Sequence, residues 1–143
     1  MNTTANHWRV FPRWMMEEHE TDILFSAQLS TGRATEVTSR IHKDPATLAV
    51  LLQLLGDTRT ALSVRIGIGV VMEDLAGTDL LREQIPTLGK LTTHKSASIR
   101  ADACHYLWLT GDSAALPHLQ ACLQDKDPEV REVATDALSS LTT

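Results

Sequence analysis

Three dipeptides constrain this chain more than any other feature. Val64-Arg65, Ile99-Arg100 and Val130-Arg131 recur at spacings of 35 and 31 residues. Self-similarity on that scale marks a stacked repeat architecture. Each dipeptide opens an aliphatic stretch with helical spacing. Before each lies a polar break, and before the break another aliphatic stretch. The units read TLAVLLQLLGDTRTALSVRIGIGVVMEDL from Thr47, LLREQIPTLGKLTTHKSASIRADACHYLWL from Leu80 and ALPHLQACLQDKDPEVREVATDALSSL from Ala115. A helix pair of this size cannot bury its apolar face alone, and about three stacked pairs are the minimum for stability.

The spacing within each stretch is helical. Leu48, Leu51, Leu52 and Leu55 fall at i, i+3, i+4 and i+7, one face of a helix. Leu81, Ile85, Leu88 and Leu91 follow the pattern in the second unit, and Leu116, Leu119 and Leu123 in the third. The second helices read Val64, Ile68, Val71, Met72, Leu75; then Ile99, Ala103, Tyr106, Leu107; then Val130, Ala134, Ala137, Leu138, Leu141. Asp44-Pro45 and Asp127-Pro128 each supply a capping side chain followed by proline at the first helical position. Gly56, Gly77 and Gly111 fall at the breaks, where helix ends and turns are expected. Aromatic residues make up only 4%, so the core must be aliphatic. No stretch alternates with period two over a useful length. The expectation is an all-α fold without a sheet.

The pattern resembles HEAT-like repeats, of the short type first noted in phycobilin lyases, over about residues 44–141. The third unit carries it best, in Ala115-Leu116-Pro117, in Asp125 through Arg131, and in Ala134 and Ala137-Leu138. The resemblance implies a right-handed α-solenoid of about three helix pairs, at residues 44–77, 78–111 and 112–141. In the family's register an acidic residue stands six positions before the arginine. That position is Asp125 in the third unit and His94 in the second. In the first it is Arg59, with Asp57 two residues earlier. An arginine at the start of an inner helix can pair with the acid of the preceding turn and build a ladder between repeats. Arg65, Arg100, Asp125 and Arg131 therefore read as structural. His94 weakens that ladder at the middle repeat or makes it pH-sensitive.

Residues 1–43 do not fit the repeat. Trp8, Phe11 and Trp14 cluster around Pro12. A helix over Trp14 to Leu29 follows, with Ile23, Leu24 and Ala27 apolar and Glu17, Glu18, Glu20 and Asp22 near its start, where acids suit the helix dipole. Ser30-Thr31-Gly32 breaks it, and Ala34, Val37 and Ile41 suggest a second short helix. The segment reads as a helical cap over the open end of the stack. The other reading is an arm whose aromatics bind something.

Charge and motif content exclude several functions. Thirteen basic against eighteen acidic residues give a formal charge of −5 without any Lys/Arg cluster, which argues against nucleic acid and so against a role like that of HEAT-like DNA glycosylases. The longest apolar run is far short of a bilayer span. The opening MNTTANHWRV lacks the layout of a secretory signal, so a cytoplasmic protein with reduced thiols is expected. Cys104 and Cys122 are too few for a disulfide framework or a four-cysteine site. With His94, His105 and His118 they lack the spacing of a zinc site and read as small buried hydrophobes. The HEAT-repeat deoxyhypusine hydroxylases carry repeated His-Glu pairs. Here His19-Glu20 is alone and lies outside the repeats, on what reads as a solvated helix face. Gly67-Ile68-Gly69 lacks the third glycine and the strand of a dinucleotide site, and reads as close helix packing. No nucleophile elbow appears. No enzyme, metal or cofactor is expected.

The informative surface is the inner one, where the second helices of a solenoid bind partners. Counting two, six and nine residues from Val64, Ile99 and Val130 gives Ile66, Val70 and Glu73; Ala101, His105 and Trp108; Glu132, Asp136 and Ser139. This surface would run from apolar, through a Trp/His centre, to acidic. It would suit a peptide or helix with an apolar anchor and a basic end. Trp108 reads equally as a hot-spot residue and as a core residue between repeats. The function read from this is a non-catalytic adaptor, scaffold or accessory subunit that binds another protein, with homodimerisation through the open ends as a further option. The resemblance implies an alternative, a phycobilin-lyase-like or chaperone-like protein holding a cofactor or a cofactor-bearing protein.

Overall fold

The computed structural model describes residues 13–141. Trp8, Phe11 and Pro12 of the expected aromatic cluster therefore lie outside the described residues. Within them the chain is helical and contains no strand. Two helices come first, α1 (Arg13–Ser30) and α2 (Ala34–Lys43). A 3-10 turn (Pro45–Thr47) leads into α3 (Leu48–Leu55), which pairs in sequence with α4 (Leu62–Asp74). Next come α5 (Asp79–Arg82), α6 (Ile85–Leu91) and α7 (Ala97–Leu109). A second 3-10 turn (Ser113–Ala115), α8 (Leu116–Cys122) and α9 (Pro128–Leu141) complete the stack. The architecture is an all-α HEAT-like solenoid.

Proline shapes the first helix of every pair. Pro45, Pro86 and Pro117 each sit at the first or second position of a helical segment. Proline has no N–H to donate, so only the first turn tolerates it. This corrects one sequence expectation. Leu81 to Leu91 is not one helix, because Pro86 ends any helix entering it. The chain forms the single turn α5 and starts again as α6. Asp127 caps α9 as expected, its Oδ1 accepting from the Glu129 N–H at 2.9 Å. Asp44 does not repeat this, and its side chain makes no capping bond. Its own N–H closes α2 by donating to the Arg40 carbonyl at 2.9 Å. The helix behind it therefore fixes its backbone at φ −139°.

The core is aliphatic and continuous through the stack. Leu51, Leu55, Ile68, Met72, Leu75, Leu81, Leu88, Ile99 and Leu107 are fully buried. Phe25 and Leu29 of α1 and Val37 and Ile41 of α2 join the same core, so α1 and α2 cover the end of the stack. The inner helices are packed unevenly. α7 and α9 pack against each other along much of their length, whereas α4 is packed chiefly by α1 and α2 and meets α7 only briefly. Glycines set both approaches of α4. A Cβ on Gly67 would lie 2.8 Å from Leu29 Cβ, so this residue lets α1 close onto α4. Gly69 faces Tyr106, whose Oη would be 3.5 Å from an added Cβ. The loops after α4 and α7 turn at Gly77 and Gly111, with φ of +73° and +64°, a region that disfavours any side chain. The Gly77 N–H donates to the Leu109 carbonyl at 2.9 Å, a backbone bond between adjacent repeats.

Candidate functional site

The repeated arginines define how the inner row is held. In each repeat the guanidinium turns back onto the loop before its own helix. Arg65 donates to the Leu55 and Asp57 carbonyls at 3.2 and 2.6 Å. Arg100 donates to those of His94 and Lys95 at 2.9 and 3.2 Å, and Arg131 to that of Asp125 at 2.6 Å. Each loop carries a matching side-chain turn. Asp57 Oδ1 accepts from the Arg59 N–H, His94 Nδ1 from the Ser96 N–H and Asp125 Oδ1 from the Asp127 N–H, all at 2.9 Å. The structural equivalents are thus Asp57, His94 and Asp125, and Arg59 is not one of them.

The ladder itself runs one repeat out of step with the sequence expectation. Asp125 gives its own repeat's arginine only a backbone carbonyl. Its carboxylate takes Arg100 of the preceding repeat, Oδ2 from Nε at 2.9 Å and Oδ1 from Nη2 at 3.0 Å. Both side chains are about a tenth exposed or less, at 7% and 10%. The Arg100 hydrogen bonds hold the Asp125 carboxyl below its ordinary pKa, against the opposing effect of burial. At the seam before, the equivalent position is His94, which offers Arg65 no carboxylate. Arg65 instead lies 3.9 Å from Asp102 Oδ2, too far for a charge-assisted hydrogen bond. Burial pushes the Asp102 carboxyl up in pKa, with Arg65 and His105 opposing it.

The inner face begins on α4. Leu62, Ile66 and Val70, one turn apart, are 72%, 63% and 42% exposed. Gly67 meets α1 on one side of this stripe, and Gly69 and Arg65 meet α7 on the other. The stripe therefore projects from the row of inner helices, and a cavity of about 340 Å³ lies beside Ile66, Val70 and Leu29. Leu62 was missed by counting forward from Val64. Its spacing of four from Ile66 was the available signal.

Acidic groups continue the face. Glu73 ends the α4 stripe exposed. Burial, together with the Asp102 and Glu73 carboxylates, pushes the Tyr106 phenol up, and Glu129 acts on Asp102 in turn. Carboxylates of α4 and α7 thus act on Tyr106, with Arg65 opposing them. On α9, Glu132, Asp136 and Ser139 are exposed.

At the centre, Trp108 and His105 are half-buried, with rings 5.6 Å apart and tilted by 32°. Trp108 packs against the core and also lines a cavity of about 220 Å³ with His105, Val133 and Asp136. It serves groove and core together. Ala101 is a correction. It is buried, and does not stand on the face. Both helices carry buried alanines, Ala101 and Ala103 on α7 and Ala134 and Ala137 on α9, and the two helices pack closely. The outward arc of α7 is accordingly narrower than that of α4.

The remaining reactive side chains serve packing. Cys104 and Cys122 are buried free thiols. The Cys104 thiol is pushed up, first by its hydrogen bond with Cys122 and then by burial, the reverse of a reactive thiolate. His118 lies over Gly89, where an added Cβ would come 2.6 Å from Nδ1, so the ring fills the gap between α6 and α8. His19 and Glu20 are exposed on α1. Among the described residues no three His, Cys, Asp or Glu side chains gather as metal ligands. No helix among them is long and apolar enough to cross a membrane.

The family model for HEAT repeats matches residues 69–139, from the middle of α4 through most of α9. No curated protein and no solved structure matches the chain.

Proposed function

From the premise that this chain is a HEAT-like repeat protein, we propose that it is a non-catalytic interaction module, an adaptor or scaffold. It holds a partner protein along the row α4, α7 and α9. The observation that carries this reading is the exposed stripe of Leu62, Ile66 and Val70. Three large aliphatic side chains on one helix face, flanked by packed helices on both sides, form the apolar patch that marks an interaction surface. The carboxylates of Glu73, Glu132 and Asp136 give the rest of the face one sign of charge. Charge of one sign selects the complementary partner and fixes its direction. The fitting partner is a segment whose apolar residues sit on α4 and whose basic end reaches α9. The arginine contacts hold each inner helix against the loop before it.

The test is site-specific photocrosslinking in cells of the native host. A benzoylphenylalanine at position 66 or 136 is compared with one at Gln120, exposed on α8. The expected result is one protein crosslinked from both inner positions, absent from position 120, and lost when Val70→Asp is added. Crosslinks from position 120 alone, or only to a second copy of this chain, would overturn the reading.

A further inference from the structure

We propose that the groove between α1 and the bend joining α2 to α3 is a second docking site, for an extended peptide segment that carries arginine among apolar residues. The groove holds about 530 Å³, more than either inner-face cavity, and shares no lining residue with them. Its floor includes the buried Thr47 and Val50. Its walls are two side chains that would normally be covered, Trp14 at 58% and Leu24 at 44% exposure. Around this trough of mixed polarity stand the carboxylates of Glu17, Glu18, Glu20 and Asp44, with Arg40 the one cation among the lining residues. Glu17 is already paired with Arg13 at 3.0 Å, but both side chains are largely exposed. Such a pair is worth little and yields readily to a competing guanidinium.

Charge complementarity decides the occupant. Four carboxylates beside the exposed Trp14 and Leu24 ask for a cation borne on a chain that also carries apolar side chains. An exposed indole beside those carboxylates favours arginine over lysine, because guanidinium stacks on the ring while its fork binds a carboxylate. Length fits as well. From Glu17 to Leu24 the helix rises about 10 Å, which about three residues of extended chain would span. The site is independent of the inner face, and its failure would leave that reading intact.

The probe is a fluorescein-labelled peptide of alternating leucine and arginine, followed by fluorescence polarisation on the full chain. Versions with lysine or glutamate in place of arginine serve as comparisons. Saturable binding is expected, several-fold weaker with lysine, absent with glutamate, and weakened by salt. Trp14→Ala, Leu24→Ser and the pair Glu18→Lys/Glu20→Lys should each weaken binding at least tenfold. These side chains are at the surface, so thermal melts should match the parent. The component of binding that Trp14→Ala removes should be unaffected by the inner-face pair Ile66→Asp/Asp136→Lys, which removes only peptide held on α4 and α9. Equal binding of the glutamate peptide, or loss of that same component in the inner-face pair, overturns the proposal. The chain's own His7-Trp8-Arg9-Val10-Phe11 has the same chemistry, so a form beginning at residue 13 is tested alongside. A tenfold or greater gain of affinity on that truncation assigns the groove to the chain's own segment and overturns the proposal.

Discussion

Removing the carboxylate of Asp125 exposes how differently the two inter-repeat seams are built. Asp125→Ala leaves the Arg100 guanidinium buried without its counter-charge, though still bonded to the His94 and Lys95 carbonyls. Breaking a buried pair from one side typically costs about 3–5 kcal/mol. The surviving carbonyl bonds place this case at the lower end, about 3 kcal/mol. Asp102→Ala at the other seam removes a partially exposed carboxylate 3.9 Å from Arg65 and should cost less than about 1 kcal/mol. For a chain of this size, about 3 kcal/mol corresponds to a fall in Tm of roughly 10 °C. Urea titration and thermal melting followed by circular dichroism measure both variants. A cycle with Arg100→Met completes the experiment, because the double variant no longer leaves a charge unpaired and should be less destabilised than the sum of the singles. The pH dependence has a defined sign. The Asp125 carboxyl is depressed in the folded state, so its contribution is present above its ordinary value of 3.8. It is lost as pH falls below 3.8 through the folded value, and the gap between parent and Asp125→Ala should close over that range. Equal cost for Asp125→Ala and Asp102→Ala, or a gap that persists once the carboxyl is protonated, would refute the reasoning.

Four further outcomes follow from the packing. Gly67→Ala drives a Cβ to 2.8 Å from Leu29 Cβ and should destabilise by about 1–3 kcal/mol despite its better helix propensity. Gly69→Ala meets only Tyr106 Oη at 3.5 Å and should stabilise by up to about 1 kcal/mol, so the two substitutions should move the urea midpoint in opposite directions. Leu107→Ala empties a fully buried site shared by the stacked helices and should cost about 2–5 kcal/mol, read from the same titrations. Neither Cys104 nor Cys122 should react with a thiol reagent such as DTNB in the folded protein at pH 8, and both should react on unfolding.

Much of the fold was legible because it rests on local periodicity. The dipeptide repeat and the i, i+3, i+4 leucines gave the helix pairs, since each helix must bury one face. The exposed positions on α4 and α9 could be found by counting, because a regular helix fixes which residues oppose its core. Ala101 could not be found this way. Its burial depends on how closely neighbouring helices approach α7, which periodicity within one helix does not set. The direction of the ladder was hidden for a related reason. Sequence places Asp125 beside Arg131, whereas the stacking of repeats turns its carboxylate toward Arg100. The groove beside Trp14 was invisible too, since it arises from the angle between α1 and the bend at Asp44-Pro45.

The substitution of an imidazole for a carboxylate at position 94 also has a mechanical meaning. Between α7 and α9 the stack has long helix contact and a bidentate ion pair. Between α4 and α7 it has a glycine facing a tyrosine hydroxyl, one long ion pair and the Gly77–Leu109 backbone bond. Under a bending load the two joints differ in stiffness, and the strain concentrates in the softer one. The apolar stripe on α4 and the acidic surface on α9 lie on opposite sides of that joint. Strain between the two ends of the inner face should therefore fall on that joint before it reaches the Trp108–Asp136 end. A partner gripping both ends would work against the stiffness of a single joint.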